Sequence, residues 1–138
     1  MKLIICTADV TGVESNCLYP HRLEVTDGAG LMAAIARDHV CAVYKGNYRS
    51  STNFVRSNCV VMDVDNDHSD DPAEWITPES LEEEYADIRF AITFSRHHMK
   101  QKEDKGPRPR LHVYFEISEY TDAEKYAALK RNIRAVYP

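Results

Sequence analysis

The segment CVVMDVD, residues 59–65, alternates apolar and acidic side chains in the way that a half-buried β-strand does. Successive residues of a strand point to opposite faces. Asp63 and Asp65 therefore share one face, while Val60, Met62 and Val64 share the other. Two residues of strand span roughly 6 to 7 Å. The pattern predicts two carboxylates side by side at the end of a buried strand.

A second alternating segment, Arg110–Ile117, predicts another strand, whose apolar face carries Leu111, Val113, Phe115 and Ile117. On its polar face His112 lies between Arg110 and Tyr114. An arginine two residues from a histidine, behind a basic loop, is typical of a site for phosphate groups. The alternative is a histidine that only packs and donates a hydrogen bond.

The remaining pattern predicts a protein of the α/β class, of α+β type, with a mixed sheet packed by helices. A further strand after the closing helix would complete a βαββαβ unit, so we expect that last strand to be missing from this chain. The other predicted elements are strands over Lys2–Cys6, Cys41–Tyr44 and Arg89–Ser95, helices over Gly30–Val40, from Thr77 and from Thr121 (capping box with Glu124, apolar stripe Tyr126, Leu129, Ile133 and Val136), and a polar loop over residues 45–58.

Composition favours one globular domain of 138 residues, with 43% hydrophobic and 28% charged residues. The apolar runs are too short to span a bilayer, so we expect an intracellular, cytoplasmic protein without a membrane partner. The four cysteines lack zinc-ligand spacing and predict buried thiols. The net charge of -5 argues against nucleic-acid binding by bulk charge alone, but residues 96–110 hold six basic residues against two acidic ones.

The aspartates at the end of the predicted strand over residues 59–65 are electrostatically unfavourable, because neighbouring carboxylates at a buried strand end repel each other. A divalent cation between Asp63 and Asp65 would remove that repulsion, and two such carboxylates can bridge a pair of ions about 3.5 to 4 Å apart. We therefore expect Mg²⁺ or Mn²⁺ at this pair. A solvated acidic loop without a metal is the plain alternative.

A calcium loop is the competing interpretation of the same aspartates. Counted from Asp63, positions three, five, nine and twelve of an EF-hand loop are Asp65, Asp67, Asp71 and Glu74. The sixth position, which needs glycine, is His68, and Pro72 interrupts the loop. The preceding segment also has the composition of a strand instead of a helix. This mismatch disfavours the EF-hand.

Together the two strand motifs resemble the archaeo-eukaryotic primase superfamily, in particular the primase-polymerase domains of plasmids, phages and other mobile elements. VVMDVDND matches its D-x-D strand motif, and PRPRLHVYFEI matches its histidine-centred strand motif, with Arg110 where a small residue is often found. The resemblance implies an N-terminal α/β unit (residues 1–58) and an RNA-recognition-like catalytic half (residues 59–138). It implies DNA primase or DNA polymerase activity in DNA replication, with Asp63 and Asp65 holding metal and Arg110 and His112 binding nucleotide phosphates.

By the same resemblance, the partners are a DNA template, nucleoside triphosphates and a fused or separate helicase. Further nucleotide contacts are expected at Ser95, Arg96 and His97, and nucleic-acid contacts at Lys45, Arg49, Lys100, Lys102 and Arg108. The third family motif, an acidic residue on a strand after the last helix, is not found. We therefore expect weakened metal binding and little polymerase activity from these residues alone.

Two other functions stay open at this point. In a non-catalytic module for single-stranded nucleic acid, the basic loop contacts phosphates and Tyr48 or Phe54 stacks on bases. A rolling-circle replication nuclease uses a histidine pair for metal and a tyrosine nucleophile, but its histidines alternate on a strand, whereas His97 and His98 are adjacent.

Overall fold

A computed structural model of the chain describes residues 1–136, with side chains up to residue 133. Its strands and helices follow in the order β1 (Leu3–Thr7), β2 (His21–Val25), α1 (Gly28–Ile35), β3 (His39–Val40), β4 (Val43–Tyr44), β5 (Phe54–Val64), α2 (Pro78–Glu84), β6 (Phe90–Phe94), β7 (Leu111–Tyr120) and α3 (Ala123–Val136). Short 3-10 turns lie at Lys45–Asn47, Ser51–Asn53 and Pro72–Glu74.

The strands form two sheets, of order β2-β1-β3 and β4-β5-β7-β6. This confirms the α+β class, although the sheets are antiparallel and not mixed. By their contacts the residues divide into two compact units. One unit comprises residues 1–60 and 116–132, and the other comprises residues 61–115 and 133–136.

In the first unit, the N-terminal sheet has a buried β1, in which Leu3 and Ile5 have no exposed surface. The predicted helix over Gly30–Val40 is wrong at its C-terminal end, because α1 stops at Ile35 and His39–Val40 pairs with β1 instead. A tertiary contact explains the early stop. The Asp38 carboxylate accepts the backbone N–H groups of Gly12 and Val13 at 2.7 and 2.9 Å.

The first unit also contains residues 123–132 of α3, a helix that begins differently from the prediction. Asp122 caps the helix, since its Oδ1 atom accepts the backbone N–H groups of Glu124 and Lys125, so the predicted Thr121 cap is wrong. The hydroxyl of Tyr126 donates to the Cys59 carbonyl at 2.7 Å. Tyr126 is buried, and Leu129 and Ile133 are half-buried, as the apolar stripe predicts, whereas the side chain of Val136 lies outside the described residues.

The second unit contains the end of β5 and the acidic segment, which is defined as residues 63–71. This strand begins at Phe54, within the segment predicted as a loop, because tertiary pairing with β4 extends it. Its alternation is as predicted, with Met62 and Val64 each 3% exposed and Asp63 on the opposite, exposed side. Thr77 caps α2 in a capping box with Ser80.

β6 and β7 pair in a register that sets Thr93 opposite His112 and Phe94 opposite Leu111. The pair is held by an aromatic cluster in which the Tyr85 ring contacts Phe90 and Phe115, with centroids 6.3 and 5.1 Å away. Side chains on one face of β7 are therefore fixed relative to those on β6.

Candidate functional site

Asp63 on β5 and His112 on β7 face each other in the second unit. The Nε2 atom of His112 lies 3.1 Å from Asp63 Oδ1, and the two side chains are 40% and 71% exposed. A side-chain contact this exposed, which is an ion pair only when the histidine is protonated, contributes only about 0–1 kcal/mol. A cation at Asp63 or an anion at His112 would therefore displace the contact at little cost.

Asp65 directly follows the last residue of β5, and its side chain is 53% exposed. Val64 between the two acids is buried, so Asp63 and Asp65 both keep the outward orientation that the alternation predicts. The backbone of Asp65 is held by Arg110, whose Nη1 atom donates to the Asp65 carbonyl at 3.0 Å. The structure thus leaves two accessible carboxylates at one strand end, one of which has a fixed backbone.

Arg110 fixes the acidic segment from the interior. The residue has no exposed surface, and its Nη1 atom donates to Asp67 Oδ1 at 3.0 Å. Lys105 Nζ lies 3.5 Å from the other carboxylate oxygen. Desolvation raises the pKa of Asp67, but the hydrogen bond and charge of Arg110, with Lys105, outweigh it and hold the pKa below its usual value.

The other edge of the Arg110 guanidinium has no acceptor. Within the part of the chain whose side chains are described, three buried side-chain N and O atoms lack a hydrogen-bond partner, and they are Arg110 Nε, Arg110 Nη2 and Thr93 Oγ1. Nε and Nη2 form the fork with which arginine binds carboxylate or phosphate oxygens in a bidentate manner. Leaving a buried donor unpaired costs about 1–3 kcal/mol, so the fork favours an acceptor.

The three unpaired donors belong to one face of neighbouring strands. Thr93 pairs with His112, and the backbone N–H of Ser95 donates to the Arg110 carbonyl at 2.9 Å. Residues two apart on a strand share a face, so Thr93, His112 and Arg110 all lie on the side of the sheet where His112 meets Asp63. Thr93 has no signal in the sequence, because a threonine inside an apolar strand is ordinary.

Arg108, predicted as a nucleic-acid contact, lies in the interior at 2% exposure. Its Nη1 atom donates to the carbonyls of Asn66 and Ser69, and its Nη2 atom lies 2.6 Å from Asp70 Oδ1. All these partners belong to the acidic segment or border it. Arg108 therefore serves the fold of this segment, and its guanidinium is not presented to a polyanion.

Asn66 gives the acidic segment its turn. The residue is 2% exposed and has a φ of 56°, in the left-handed region that asparagine tolerates better than most residues. Its side-chain amide donates to the carbonyls of Ile76 and Pro109 at 2.9 Å, and its oxygen accepts the Ile76 N–H at 2.8 Å. Both polar groups of the Asn66 side chain are therefore hydrogen-bonded within the protein.

These contacts show which groups offset the negative charge of the aspartates that follow Asp65. Asp67 pairs with Arg110 and Lys105, and Asp70 pairs with Arg108. Asp71 caps the short turn at Pro72–Glu74 by accepting the Ala73 N–H. Basic residues from a distant loop thus pair with Asp67 and Asp70. Arg110 Nη1 also lies 3.7 Å from Asp65 Oδ1, although the side chains of Asp63 and Asp65 are 71% and 53% exposed.

The predicted nucleotide contacts at residues 95–97 lie in the turn after β6. Ser95 Oγ accepts the backbone N–H of His97 at 3.3 Å, and Arg96 is exposed. His98, which sequence reasoning did not assign to the site, is closer to it, since its Nδ1 atom accepts the Arg110 N–H at 3.2 Å. The two histidines share a turn and do not alternate on a strand, which disfavours the rolling-circle interpretation.

The other predicted nucleic-acid contacts are divided between the units. Lys100 is exposed and Lys102 is half-buried in the basic loop of the second unit. Lys45 and Arg49 are exposed in the first unit, where the Arg49 guanidinium lies 5.6 Å from the centroid of the Tyr19 ring. Of these four residues, Lys100 and Lys102 alone share a unit with Asp63 and Asp65, which we call the acid pair.

The donor set at the strand end fits a hard divalent cation only in part. Carboxylate oxygens suit Mg²⁺ and Mn²⁺, and Asp63 and Asp65 supply them. Among residues 1–133, however, no three His, Cys, Asp or Glu side chains are arranged to hold a metal ion. Substrate oxygens and water would have to complete the shell. The EF-hand interpretation is wrong, because the acids follow a strand and not a helix.

We compared the chain with known protein families, curated proteins and solved structures. No family model, no curated protein and no solved structure matches the chain. The resemblance to primase-polymerases therefore depends on the two motifs and their strand context. Within residues 1–136, no helix has the length and apolar character to cross a membrane.

Proposed function

We propose that the chain is a metal-dependent nucleotidyltransferase of the primase-polymerase type, which adds nucleotides on a DNA template. The supporting observation is the contact between Asp63 and His112, since it joins an acidic and a basic group on one sheet face. Asp65 extends the acidic side of this face, and the Thr93 and Arg110 donors extend the basic side. A nucleoside triphosphate with a divalent cation has the complementary charges.

In this proposal the acidic residues bind the metal ion and the basic residues bind the phosphates. Asp63 and Asp65 would hold Mg²⁺ or Mn²⁺, which neutralises phosphate charge and aligns the attacking hydroxyl when bound. His112 is the accessible phosphate contact, because its side chain is 40% exposed. The Arg110 fork is closed to solvent, so contact with phosphate requires the segment at residues 65–71, which Arg110 holds, to open.

A calorimetric titration with a non-hydrolysable nucleoside triphosphate tests this proposal. We expect binding in Mg²⁺ that is lost in chelator, and a loss of about tenfold or more in affinity for Asp63→Asn or Asp65→Asn, equivalent to about 1.4 kcal/mol. Asp71→Asn is the matched control. It removes the same charge from the same segment, and asparagine caps as well as aspartate does.

Two results would contradict the proposal. Equal affinity of wild type, Asp63→Asn and Asp71→Asn would remove the acid pair from the site. Binding of single-stranded DNA without any Mg²⁺-dependent nucleotide binding would favour the non-catalytic module. A parallel assay of labelled nucleotide incorporation on a single-stranded template, with Asp63→Asn as the inactive control, separates catalysis from binding.

A further inference from the structure

An exposed aromatic pair lies at the end of β6, which is an edge strand of its sheet. The side chain of Phe94 is 60% exposed, although the residue is the last of a strand whose neighbour Thr93 is buried. The His98 ring lies against it, with the ring centroids 4.4 Å apart. His98 is fixed in turn by the Arg110 N–H. The Phe94 ring thus packs against His98 and still remains accessible to solvent.

The charge around Phe94 is positive in an acidic protein. Residues 94–102 include Arg96, Lys100, Lys102 and two histidines, without any acidic residue, whereas the whole chain has a net charge of -5. Arg96 and Lys100 are exposed. An exposed aromatic ring with unshielded cations beside it complements a polyanion that carries flat rings.

The backbone of this loop is held by internal hydrogen bonds. The N–H of His98 donates to the Ser95 carbonyl, and the N–H of Met99 donates to the Arg108 carbonyl, both at 2.9 Å. Farther along, Lys102 and Lys105 exchange two backbone hydrogen bonds at 3.0 Å. A loop ordered before binding loses less conformational entropy when it binds. The ring and the cations are therefore presented on a preformed surface.

We propose that this surface, formed by Phe94, His98, Arg96 and Lys100 and called the Phe94 platform, binds single-stranded nucleic acid. A base stacks on the accessible face of Phe94, and the neighbouring phosphates contact Arg96 and Lys100. The assignment to the template strand rests on the proposed function, but the binding itself does not. Duplex ends aside, bases in a double helix are already stacked, so the platform prefers single strands.

The platform is separate from the acid pair. Neighbouring residues of a strand point to opposite faces, so Phe94 points away from the face that Thr93 shares with His112. Phosphates at Phe94 thereby avoid the carboxylates of Asp63 and Asp65. Substitution of Phe94 should accordingly leave Mg²⁺-dependent nucleotide binding unchanged.

Fluorescence anisotropy of a labelled oligothymidylate, with the whole chain in chelator, tests the stacking contact. We expect Phe94→Ala to weaken binding by about fivefold or more and Phe94→Tyr to restore it, because each stacked base contributes substantially to affinity. Phe94→Leu, which is apolar but not aromatic, should bind as weakly as Phe94→Ala. The control is Ile88→Ala, another truncation of an exposed apolar residue, at 47% exposure in the same unit.

The phosphate contacts are tested by the salt dependence of the same binding. Arg96→Gln and Lys100→Gln should each reduce the slope of log affinity against log salt by about 0.7, the value for one phosphate contact on a single strand. Lys125→Gln, an exposed lysine on α3 in the other unit, is the matched control for loss of one charge. Circular dichroism checks that each variant is folded.

Wild-type affinity in Phe94→Ala, or equal affinity of Phe94→Leu and Phe94→Tyr, would overturn the proposal. Equal competition by polyglutamate would overturn it in favour of an acidic protein partner. Asp63→Asn separates the two proposals, because it should retain oligonucleotide binding in chelator while losing nucleotide binding in Mg²⁺. If the wild type lacks oligonucleotide binding in chelator, the Phe94 platform fails. If it lacks nucleotide binding in Mg²⁺, the proposed function fails.

Discussion

The Nη1 atom of Arg110, the residue before β7, donates to Asp67 Oδ1 at 3.0 Å and so binds a carboxylate 43 residues earlier in the chain. The same nitrogen donates to the Asp65 carbonyl. One buried guanidinium thus neutralises the middle of the acidic segment and fixes the backbone beside the acid pair. Asp67 and Asp70 are paired with buried arginines, whereas the side chains of Asp63 and Asp65 are 71% and 53% exposed.

Loss of the Asp67 carboxylate should destabilise the protein, because the buried Arg110 would keep only the Asp65 carboxylate, 3.7 Å away, as a counter-charge. The Asp67 side chain is 38% exposed, so we expect Asp67→Ala to lower the free energy of unfolding by about 1–2 kcal/mol, less than for a fully buried pair. Urea denaturation measures it. The exposed Asp104 is the control, since Asp104→Ala should change stability by less than about 0.5 kcal/mol. Equal losses in the two variants would contradict the role assigned to Asp67.

The same pair predicts the direction of an acid dependence. The pKa of Asp67 is lowered in the folded protein, chiefly by Arg110 and Lys105 against an opposing desolvation effect. Its stabilisation is therefore complete above the unfolded-state pKa of about 3.9 and is lost as the pH falls through the lower folded value. The stability difference between wild type and Asp67→Asn should be constant above about pH 5 and shrink below about pH 4. A difference that grows on acidification would contradict this sign.

The turn at Asn66 should depend on both its backbone and its side chain. Asn66→Ala removes buried hydrogen bonds to Ile76 and Pro109 and places a β-carbon at a φ of 56°, so we expect a loss of about 3 kcal/mol. Asn66→Gly loses the same hydrogen bonds without the steric penalty and should cost about 1 kcal/mol less. Thermal unfolding of the two variants compares them. A glycine variant less stable than the alanine variant would show that backbone strain is unimportant here.

In the first unit, the Tyr126 hydroxyl should contribute to stability through its bond to the Cys59 carbonyl. Tyr126 is 6% exposed, and Tyr126→Phe leaves that buried carbonyl without this donor, which should cost about 1–2 kcal/mol. Tyr120→Phe, on a half-exposed tyrosine that neighbours it, is the control and should be nearly neutral. Chemical denaturation of the two variants measures the hydroxyl effect, and equal stabilities of the two would contradict the role assigned to the Tyr126 hydroxyl.

The sequence predicted the strands that carry the acid pair and the histidine because both have a strict two-residue alternation. Asp63 and His112 lie on one face for that reason. β2 was missed because its polar and apolar alternation, Arg22 to Val25, is only four residues long, and four of its five residues, His21 to Glu24, are exposed. Its pairing with β1 is a tertiary effect that no local pattern records.

The basic residues of the site were predicted by type but not by environment. Arg108 and Arg110 lie in a segment that looks like a solvated basic loop, yet both are buried. Their burial depends on carbonyls and carboxylates about forty residues away, at Asp65, Asn66 and Asp67. Local composition cannot distinguish an arginine that binds a ligand from one that folds a loop. The unpaired fork of Arg110 became visible only with these partners placed.

Titration with Mn²⁺, followed by electron paramagnetic resonance with and without a nucleoside triphosphate, tests the acid pair most directly. We expect weak Mn²⁺ binding alone and tighter binding with triphosphate, because two carboxylates supply only part of an octahedral shell. Asp63→Asn and Asp65→Asn should abolish the nucleotide-dependent increase, and Asp71→Asn should retain it. An increase of the same size in all three variants would contradict a metal and nucleotide site at Asp63 and Asp65.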